Sequence, residues 1–400
     1  MIAAVTVGKG SHYQIGRSVG ADTAPLVWAN VSGFWRAVER AGHSRRWLLG
    51  KAREETGLLA PSLIDEVAGL AEGSKLTFED LLAYNLYGGW VFPDGCTVMM
   101  AVGEAGHNGN TLFMKNSDQV GSESMVGPSF DRHKEIYVLQ VIDPEEGNRI
   151  IGVSAAGRTG IKMGLNDKGV ATGSNIARTI ELRKRGVDIS QVRAGDRTQL
   201  MRQALEKDTA VDAANLVSRL ILENPMSTPG NIEFADSRGA LIIEGSYTHQ
   251  AMEVVRDRVA ARANRFQLLE YTNQPEDVSS VCRYQRAMQL LRENEAKLTL
   301  DKFIEFSYDH GNGPGPNSIC RHGNHYLEET TLGAAVIEID RQAPERSIIS
   351  IALGKPCHAW RSPEGHIQLR IDANVEEVPA GLFDGSVWKR LYTEDPYHTQ

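Results

Sequence analysis

Residues 11–90 carry apolar side chains three and four positions apart, with polar residues between them. This spacing is typical of amphipathic helices. It predicts helices in WANVSGFWRAVERAG, PSLIDEVAGLAEG and LTFEDLLAYNLYGGW. Pro61 is a favoured first helical residue, and Thr77 precedes acidic residues in the manner of an N-cap. The first part of the chain is therefore expected to be mainly helical.

The pattern changes at Cys96, where short apolar runs replace the helical spacing. The runs predicted as strands are TVMMAV, TLFMK, IYVLQVI, RIIGVSA, GIKMGLN and VATGSN, then NIEFAD, ALIIEG and AMEVVRD, and finally TLGAAVIEID and RSIISIAL. Turns such as DPEEGN and NDKG are hairpin connections, so the sheet is expected to be largely antiparallel. Helices are predicted between these blocks, in DRTQLMRQALEKD, VDAANLVSRLILEN, VSSVCRYQRAMQLLRENE and TLDKFIEFSYDH. Blocks of strands alternating with blocks of helices predict an α+β architecture, with helices layered outside the sheets.

Composition and charge narrow the class of protein. The 400 residues are 41% hydrophobic, which is enough for a large core, and the formal net charge is -8. An acidic chain without a basic block does not fit a nucleic-acid or membrane-surface protein. No secretory signal is apparent at the N-terminus, and no run reaches the roughly 18 apolar residues of a membrane span. A cytoplasmic enzyme with reduced thiols is expected.

Cys96 and Asp118 stand at the two ends of a predicted hairpin. The strands TVMMAV and TLFMK flank the turn GHNGN, and His107 in this turn lies midway between Cys96 and Asp118. The two residues are therefore expected in one neighbourhood at the open end of the hairpin, within a register slip of one or two positions. A free cysteine is more often a small buried hydrophobic residue, and aspartate often ends strands. These residues alone leave both interpretations open.

A cysteine nucleophile needs a base, which most cysteine hydrolases take from a histidine. A cysteine at a chain start has its own α-amine instead, whose pKa of about 7.7–8.0 suits proton transfer near neutral pH. Cys96 would gain such an amine if the Gly95–Cys96 bond were cut. The glycine leaves its carbonyl open to attack by the neighbouring thiol. Residues 1–95 would then form a released or retained pro-segment, and residues 96–400 the catalytic domain.

Several motifs resemble those of one known family and occur in the same order. They are YQIGRSVG, LIDEVAGLAEGSKLTFEDLLAYN, DGCT at 94–97, KNSD at 115–118, AAGRTGIKMGLNDKGVATGSN at 155–175, YTNQP at 271–275, SICR at 318–321 and GKPC at 354–357. Each is weak alone, but together they resemble the acyl-coenzyme A:6-aminopenicillanic acid (isopenicillin N) acyltransferase family. This family is a branch of the N-terminal-nucleophile hydrolases.

The resemblance implies a four-layer αββα sandwich, with an N-terminal helical pro-segment packed on it. It implies Gly95–Cys96 as the autoproteolytic junction and Cys96 as the nucleophile. It further implies Asn273 as the donor to the oxyanion, with help around Asn175. By the same resemblance Asp118 orients the new α-ammonium, and Arg321 supports the cysteine and the aspartate. Lys115, Asn116 and Ser318 in the same motifs are candidate substrate contacts.

The chain departs from relatives in ways that bear on the substrate. Lys115 stands where bile-salt hydrolases have arginine, which keeps the charge but loses the bidentate fork. The segment between DGCT and KNSD is longer than in the penicillin acyltransferase, and SDQVGSESMVGPSF lacks the aromatic residue that commonly follows the aspartate. These differences affect the substrate more than the mechanism.

Other catalytic signatures are missing from the sequence. It has no GxSxG, P-loop, GxGxxG after a strand or HExxH. The histidines of the last loop and beyond, His310, His322, His325 and His358, lack the spacing of a metal site. The cysteines Cys96, Cys282, Cys320 and Cys357 are far apart, which fits neither a zinc site nor a disulfide framework. No metal and no cofactor are therefore expected. A papain-like pairing of Cys96 with one of these histidines is a minor alternative.

The sequence thus predicts an autoprocessed cysteine amidohydrolase that acts on a small N-acylated amide or peptide. An acyl-CoA-dependent N-acyltransferase using the same acyl-enzyme is the first alternative, and an uncleaved binding protein on the same fold is the second. The partner expected is a small-molecule acyl donor, with no nucleic acid or membrane. The cleaved chains are expected to stay associated, and a homo-oligomer is left open.

Overall fold

A computed structural model describes most of the chain. The described residues are 2–91, 94–120, 135–181, 196–224, 229–273, 277–295, 297–323 and 329–384. The α-helices are α1 (His12–Asp22), α2 (Ala24–Arg40), α3 (Arg45–Glu54), α4 (Pro61–Ser74), α5 (Phe78–Val91), α6 (Arg197–Ala204), α7 (Ala210–Glu223), α8 (Val278–Glu293), α9 (Leu300–Ser307) and α10 (Pro356–Ala359). The strands are β1 (Ile2–Gly10), β2 (Asp94–Ala101), β3 (Thr111–Val120), β4 (Tyr137–Pro144), β5 (Ile150–Ala155), β6 (Met163–Asn166), β7 (Ala171–Ile176), β8 (Gly230–Asp236), β9 (Gly239–Gly245), β10 (Gln250–Val255), β11 (Val259–Arg262), β12 (Glu329–Ile339), β13 (Ile348–Ala352), β14 (His366–Arg370) and β15 (Gly381–Leu382).

Within these ranges the strands form two sheets. The larger sheet has the order β10-β9-β8-β7-β6-β5-β4-β1-β15, and the smaller has the order β11-β2-β3-β12-β13-β14. Neighbours are antiparallel, as the hairpin turns predict, except for the parallel pair β1 and β4. The long antiparallel series follows the chain order because short turns connect most of these strands.

Three hydrophobic cores define four layers. The inner core joins the facing sides of the two sheets through residues such as Val98, Met100 and Phe113 of the smaller sheet and Leu139 of the larger. A second core packs α6 and α7 on the outer side of the larger sheet, and a third packs α8 and α9 on the outer side of the smaller sheet. The predicted α+β sandwich with an αββα order of layers is therefore confirmed.

The N-terminal segment adds its own helical core and also one strand. Helices α2 to α5 share a buried cluster that includes Phe34, Leu63 and Tyr84. Helix α4 begins at Pro61, and Thr77 accepts a hydrogen bond from the backbone N–H of Asp80 (3.2 Å), as the sequence predicts. Strand β1, which precedes the helices, lies between β4 and β15 in the larger sheet and is not part of the helical prediction.

Helices α1 and α4 approach so closely that their contact surface needs glycine. A Cβ atom added to Gly16 of α1 would lie 2.0 Å from the carbonyl oxygen of Glu66. One added to Gly69 of α4 would lie 2.1 Å from the carbonyl oxygen of Tyr13. The two glycine motifs of the N-terminal region, far apart in sequence, are thus the two halves of one helix contact.

No helix within the described ranges combines the length and the apolar character that crossing a membrane requires.

Candidate functional site

Strands β2 and β3 form the predicted hairpin, but their pairing is shifted by one residue from the predicted register. Gly95 pairs with Asp118, and Cys96 pairs with Ser117. The cysteine and the aspartate therefore share one neighbourhood, as expected, but they are diagonal neighbours. The connection between the strands runs through two short 3₁₀ turns, Gly103–Ala105 and His107–Gly109.

The one-position offset places the two side chains on opposite faces of the sheet. Side chains alternate along a strand, so Cys96 shares its face with Val98 and Met100, which belong to the inner core. Asp118 shares its face with Met114, which packs against the outer helices. Both Cys96 and Asp118 are buried. The thiol consequently belongs to the space between the sheets, and the carboxylate belongs to the helical side.

The backbone of Cys96 is held by side chains where a neighbouring strand ends. Strand β11 pairs with β2 only as far as Arg262, which lies opposite Val98. Beyond that point, the N–H of Cys96 donates to Oδ1 of Asn264 (3.1 Å), and its carbonyl oxygen accepts from Nη1 of Arg283 (2.6 Å). Two buried polar side chains thus replace the missing strand beside the proposed nucleophile.

Arg283 is a site residue that the sequence interpretation missed. Its Nη1 also donates to Oγ1 of Thr97 (2.9 Å), and its Nη2 donates to Oδ1 of Asn264 (2.7 Å). Burial, followed by repulsion from Arg321, lowers the pKa of Arg283 to about 10. The available signal was its position: the buried stripe of α8 includes Arg283, Ala287 and Leu290, so a cation occupies an apolar position of an amphipathic helix.

Asp118 is fixed from β12 and from the loop before it. Its Oδ1 accepts from Oγ1 of Thr331 (2.6 Å), the residue opposite it in the sheet, and its Oδ2 accepts from Nη1 of Arg321 (3.4 Å). Arg321 also binds the carboxylate of Glu329. Burial opposes ionisation of Glu329, but the charges of Arg321 and then Arg178 outweigh it and lower the pKa of this carboxyl.

Gly95 lies against this ion-pair cluster. A Cβ atom built on Gly95 would lie 2.8 Å from Nη1 of Arg321 and 2.9 Å from Oε2 of Glu329. These contacts are closer than real Cβ atoms show, so an added Cβ atom would require the ends of the Arg321 and Glu329 side chains to shift. The structure therefore brings Gly95, Asp118 and Arg321 together and adds Glu329 to the group.

Buried polar groups also line the inner face of the larger sheet near Cys96. Asn175 of β7 pairs with Asn231 of β8, and Glu233 lies two positions farther along β8. Among the described residues, neither amide atom of Asn175 and neither carboxylate oxygen of Glu233 has a hydrogen-bond partner. Asn264 ties this face to Cys96, because its Nδ2 donates to the carbonyl oxygen of Ile176 (2.8 Å) while its Oδ1 accepts from the N–H of Cys96.

Glu233 is the most strongly perturbed carboxyl of this inner face. Burial raises its pKa to about 8, although Lys115 and then Arg262 attract the ionised form. Its neutral form therefore persists near neutral pH and can donate as well as accept a hydrogen bond.

Asn273 has a structural bond on each side of its amide. Its Oδ1 accepts from the N–H of Phe266 (2.9 Å), and its Nδ2 donates to the carbonyl oxygen of Phe266 (2.8 Å). Asn273 also forms a bridge with Thr179, beyond the end of β7. The Asn273 side chain thereby closes the loop that follows Asn264 and fixes the position of that loop beside the site.

The three candidate substrate contacts are buried and bonded to the protein. Nζ of Lys115 donates to the carbonyl oxygen of Lys162 (2.8 Å). Nδ2 of Asn116 donates to the carbonyl oxygens of Ser307 (2.7 Å) and Ile319 (3.0 Å). Lys115 faces the space between the sheets, while Asn116 anchors the loop that carries Arg321. Oγ of Ser318 donates to the carbonyl oxygen of Asp309 (2.8 Å), within that same loop.

The late histidines separate into different environments. His310 and His322 contact each other and two cysteines of the same region. His358 is half-buried on α10, and His325 lies outside the described residues. The papain-like alternative for Cys96 gains no support from the contacts of His310 and His322.

Comparison with known proteins gives one family and several remote structures. The sequence model of acyl-coenzyme A:6-aminopenicillanic acid acyl-transferase matches residues 106–348. This range contains Asp118, Asn175, Asn273 and Arg321 and begins after Cys96. No curated protein matches the chain.

This chain is similar to three solved structures, and each match covers most of the solved chain. The Caenorhabditis elegans ortholog of N-acylethanolamine-hydrolyzing acid amidase shares 15% identity, with a TM-score of 0.40, and the match covers 60% of this chain and 92% of that one. Penicillin V acylase from Agrobacterium tumefaciens shares 13% identity, with a TM-score of 0.37, and the match covers 64% of this chain and 83% of that one. A mutant conjugated bile acid hydrolase from Clostridium perfringens shares 11% identity, with a TM-score of 0.37, and the match covers 70% of this chain and 94% of that one.

Proposed function

Because this chain belongs to the acyl-coenzyme A:6-aminopenicillanic acid acyl-transferase family of N-terminal-nucleophile hydrolases, we propose that it is a cysteine amidohydrolase activated by cleavage between Gly95 and Cys96. The family makes the chain an acyl-transferring or acyl-hydrolysing enzyme in general terms. The proposal adds the nucleophile, the activation step and hydrolysis of the C–N bond of a small N-acylated amide or peptide.

One observation carries the proposal: the N–H and the C=O of Cys96 are both held by buried side chains, Asn264 and Arg283, where β11 has ended. Because the neighbouring strand has ended here, the backbone groups of Cys96 need other hydrogen-bond partners. Side-chain partners can follow the N–H as it becomes an amine. This arrangement is what a strand residue needs if it is to become a chain terminus without unfolding the sheet.

Activation would begin with attack of the Cys96 thiol on the carbonyl carbon of Gly95. The peptide nitrogen leaves as the α-amine of Cys96, and a thioester joins Gly95 to the sulfur. Water then hydrolyses this thioester, which releases the carboxylate of Gly95 and regenerates the thiol. Arg321 and Glu329, packed on Gly95, would hold the scissile carbonyl in place.

Turnover would use the freed α-amine as the base that takes the thiol proton. The thiolate attacks the substrate carbonyl, the amine product leaves with that proton, and water hydrolyses the acyl-Cys96 thioester. Asn175 is the best-placed amide to stabilise the oxyanion, since both of its amide atoms lack a partner among the described residues, while Asn273 is bonded to Phe266. Asn264 would keep the new amine beside the thiol, and Asp118 would balance the positive charge of Arg321.

Intact mass measured under denaturing conditions tests the proposal. The wild-type chain should give two fragments, residues 1–95 and 96–400, while Cys96→Ala should give a single 43.9 kDa chain. Cys282→Ala is the matched control, because Cys282 is half-buried on α8, and it should be cleaved like the wild type. A wild-type chain that stays uncut and does not react with thiol reagents at Cys96 would contradict the proposal.

The cleaved enzyme should then release a free amine from some N-acyl amino acids, peptides or β-lactams. A reactive Cys96 with no amine release, but with transfer of the acyl group to an added amine, would assign the acyltransferase reaction instead.

A further inference from the structure

Two histidines and two cysteines from three separate segments converge at one point outside the candidate catalytic site. The nitrogen and sulfur atoms of His310, Cys320, His322 and Cys357 all lie within 4.8 Å of one another. Nε2 of His322 lies 3.1 Å from Nε2 of His310, 3.7 Å from Sγ of Cys320 and 3.4 Å from Sγ of Cys357. Three of these residues are buried, and His310 is half-buried.

Hydrogen bonds of the backbone hold the segments in this arrangement. The N–H of Cys320 donates to the carbonyl oxygen of Asp309 (3.2 Å), and that of His322 donates to the carbonyl oxygen of Pro314 (2.8 Å). The carboxylate of Asp309 in turn accepts two bonds from Arg286 of α8. The loop from 308 to 323 is therefore folded around the cluster, and α10 brings Cys357 to it from beyond β13.

The donor set matches one class of ion. In tetrahedral zinc sites the metal lies about 2.3 Å from sulfur and about 2.0–2.1 Å from nitrogen, so neighbouring donor atoms are about 3.3–3.8 Å apart. The three distances from Nε2 of His322 to the other donor atoms are 3.1, 3.4 and 3.7 Å. Two thiolates carry a total charge of −2, and two neutral imidazoles carry none. A bound divalent ion would therefore leave the buried site neutral.

Metal coordination ionises a thiol, so a bound cation would hold both Cys320 and Cys357 as thiolates.

We propose that His310, Cys320, His322 and Cys357 bind a structural Zn²⁺ ion. Four protein ligands complete a tetrahedral shell and leave no position for substrate or water, which distinguishes structural from catalytic zinc sites. The inference goes beyond the proposed function and does not depend on it. The site has a direct link to the catalytic region, because Arg321, which binds Asp118, lies between two of the ligands in sequence.

The fold also explains why the linear pattern predicted no metal. The ligands are spaced H-x₉-C-x-H-x₃₄-C, and the last of them comes after two further strands. Ordinary zinc motifs place ligands in close pairs. Here the pairing is made by the packing of α10 against β12 and not by sequence proximity.

Metal content of the purified, reduced full-length chain is the first test. Elemental analysis should find about one zinc ion per chain after growth with zinc and gel filtration. Cys357→Ser should reduce this content at least about fivefold, while Cys282→Ser, which changes a thiol outside the cluster, should leave it unchanged.

Cobalt substitution provides an independent readout that needs no variant. The metal-free chain titrated with Co²⁺ should develop the visible ligand-field bands of tetrahedral cobalt and the near-ultraviolet charge-transfer band of thiolate ligands, with an end point of about one equivalent. If Cys357→Ser does not fold, this titration decides alone. A reduced chain that binds neither ion would overturn the proposal. So would a mass lower by two hydrogens that maps to a Cys320–Cys357 disulfide in protein purified with zinc present.

Discussion

Asp118 stands opposite Gly95, and not opposite Cys96, in the ladder between β2 and β3. The thiol and the carboxylate therefore leave opposite faces of one sheet, on the two sides of the peptide bond that joins Gly95 to Cys96. Asp118 and Arg321 therefore lie on the helical side of this peptide bond, whereas the thiol lies on the side of the inner core. In the proposed mechanism the substrate would approach the thiol from that inner side.

The first prediction concerns the fit of Gly95. In Gly95→Ala the new methyl group would overlap Arg321 and Glu329, so either the cluster or the strand must move. Strain of about 1–3 kcal/mol is typical of such overpacking. If it falls on the attack geometry, cleavage slows by about 5- to 150-fold. The rate of precursor cleavage, followed by denaturing gel, is the measurement.

Gly50→Ala is the control for this variant, because a Cβ atom at Gly50 meets open space. Its cleavage rate should equal that of the wild type. Wild-type cleavage in a folded Gly95→Ala protein would show that the close packing at Gly95 has no part in processing.

The second prediction concerns Arg283. Lysine at this position keeps the charge but cannot bond the carbonyl of Cys96, Thr97 and Asn264 together, because it lacks the planar fork. Loss of one charge-assisted bond of about 2 kcal/mol corresponds to about a 30-fold lower cleavage rate. Arg292→Lys on the exposed end of the same helix should have no effect. Equal rates in the two variants would remove Arg283 from the mechanism.

The third prediction is a pH dependence of stability caused by Glu233. Its pKa in the folded protein is raised to about 8, so the folded state retains a proton that the unfolded state loses above about pH 4.5. The stability contributed by the protonated form is complete below that pH and is lost as the pH rises to about 8. Glutamine at position 233 does not titrate, so the Tm of Glu233→Gln relative to wild type should increase from pH 5 to pH 8.

Thermal unfolding of both proteins across this pH range provides the measurement. The sign of the trend is the discriminating feature. A Tm difference that is constant with pH, or that falls as the pH rises, would mean that Glu233 is ionised in the folded protein throughout the range.

The fourth prediction concerns the contact between α1 and α4. In Gly69→Ala the added methyl group would meet the carbonyl oxygen of Tyr13, which is backbone and cannot yield as a flexible side chain does. The helices must separate, and we expect a loss of about 2–4 kcal/mol in the free energy of unfolding. Gly50→Ala, within α3, should instead be neutral or stabilise by up to about 1 kcal/mol. Chemical denaturation of both variants checks the difference, and equal midpoints would contradict the close contact.

The sequence predicted what local patterns determine. Alternation and helical spacing located most strands and helices, and the hairpin turn placed Cys96 near Asp118 to within one position. The exact partner was beyond this reasoning, because the connection contains two 3₁₀ turns that shift the midpoint by half a residue. A one-residue shift of a strand exchanges its two faces, so the orientation of Asp118 had to come from the structure.

Contacts between distant segments were not predictable from spacing. Asn264 and Arg283 reach Cys96 across more than 160 residues of chain, and neither belongs to a recognisable motif. Strand β1 was missed because its partner β4 comes after the helical segment and the first hairpin. Arg283 did leave a trace, as a charged residue within an apolar helix stripe.

The position of strand β1 determines how refolding would differ before and after cleavage. It pairs with β4 along most of its length, and its other edge pairs with β15. In the precursor these strands belong to one chain, so closing the larger sheet is a unimolecular step whose rate does not depend on protein concentration. After cleavage at Gly95, β1 and β4 would belong to different polypeptides, and the same step would become bimolecular. The refolding rate of uncut Cys96→Ala should therefore be independent of protein concentration. The refolding rate of the denatured processed protein should instead increase with concentration, because its two chains must first associate.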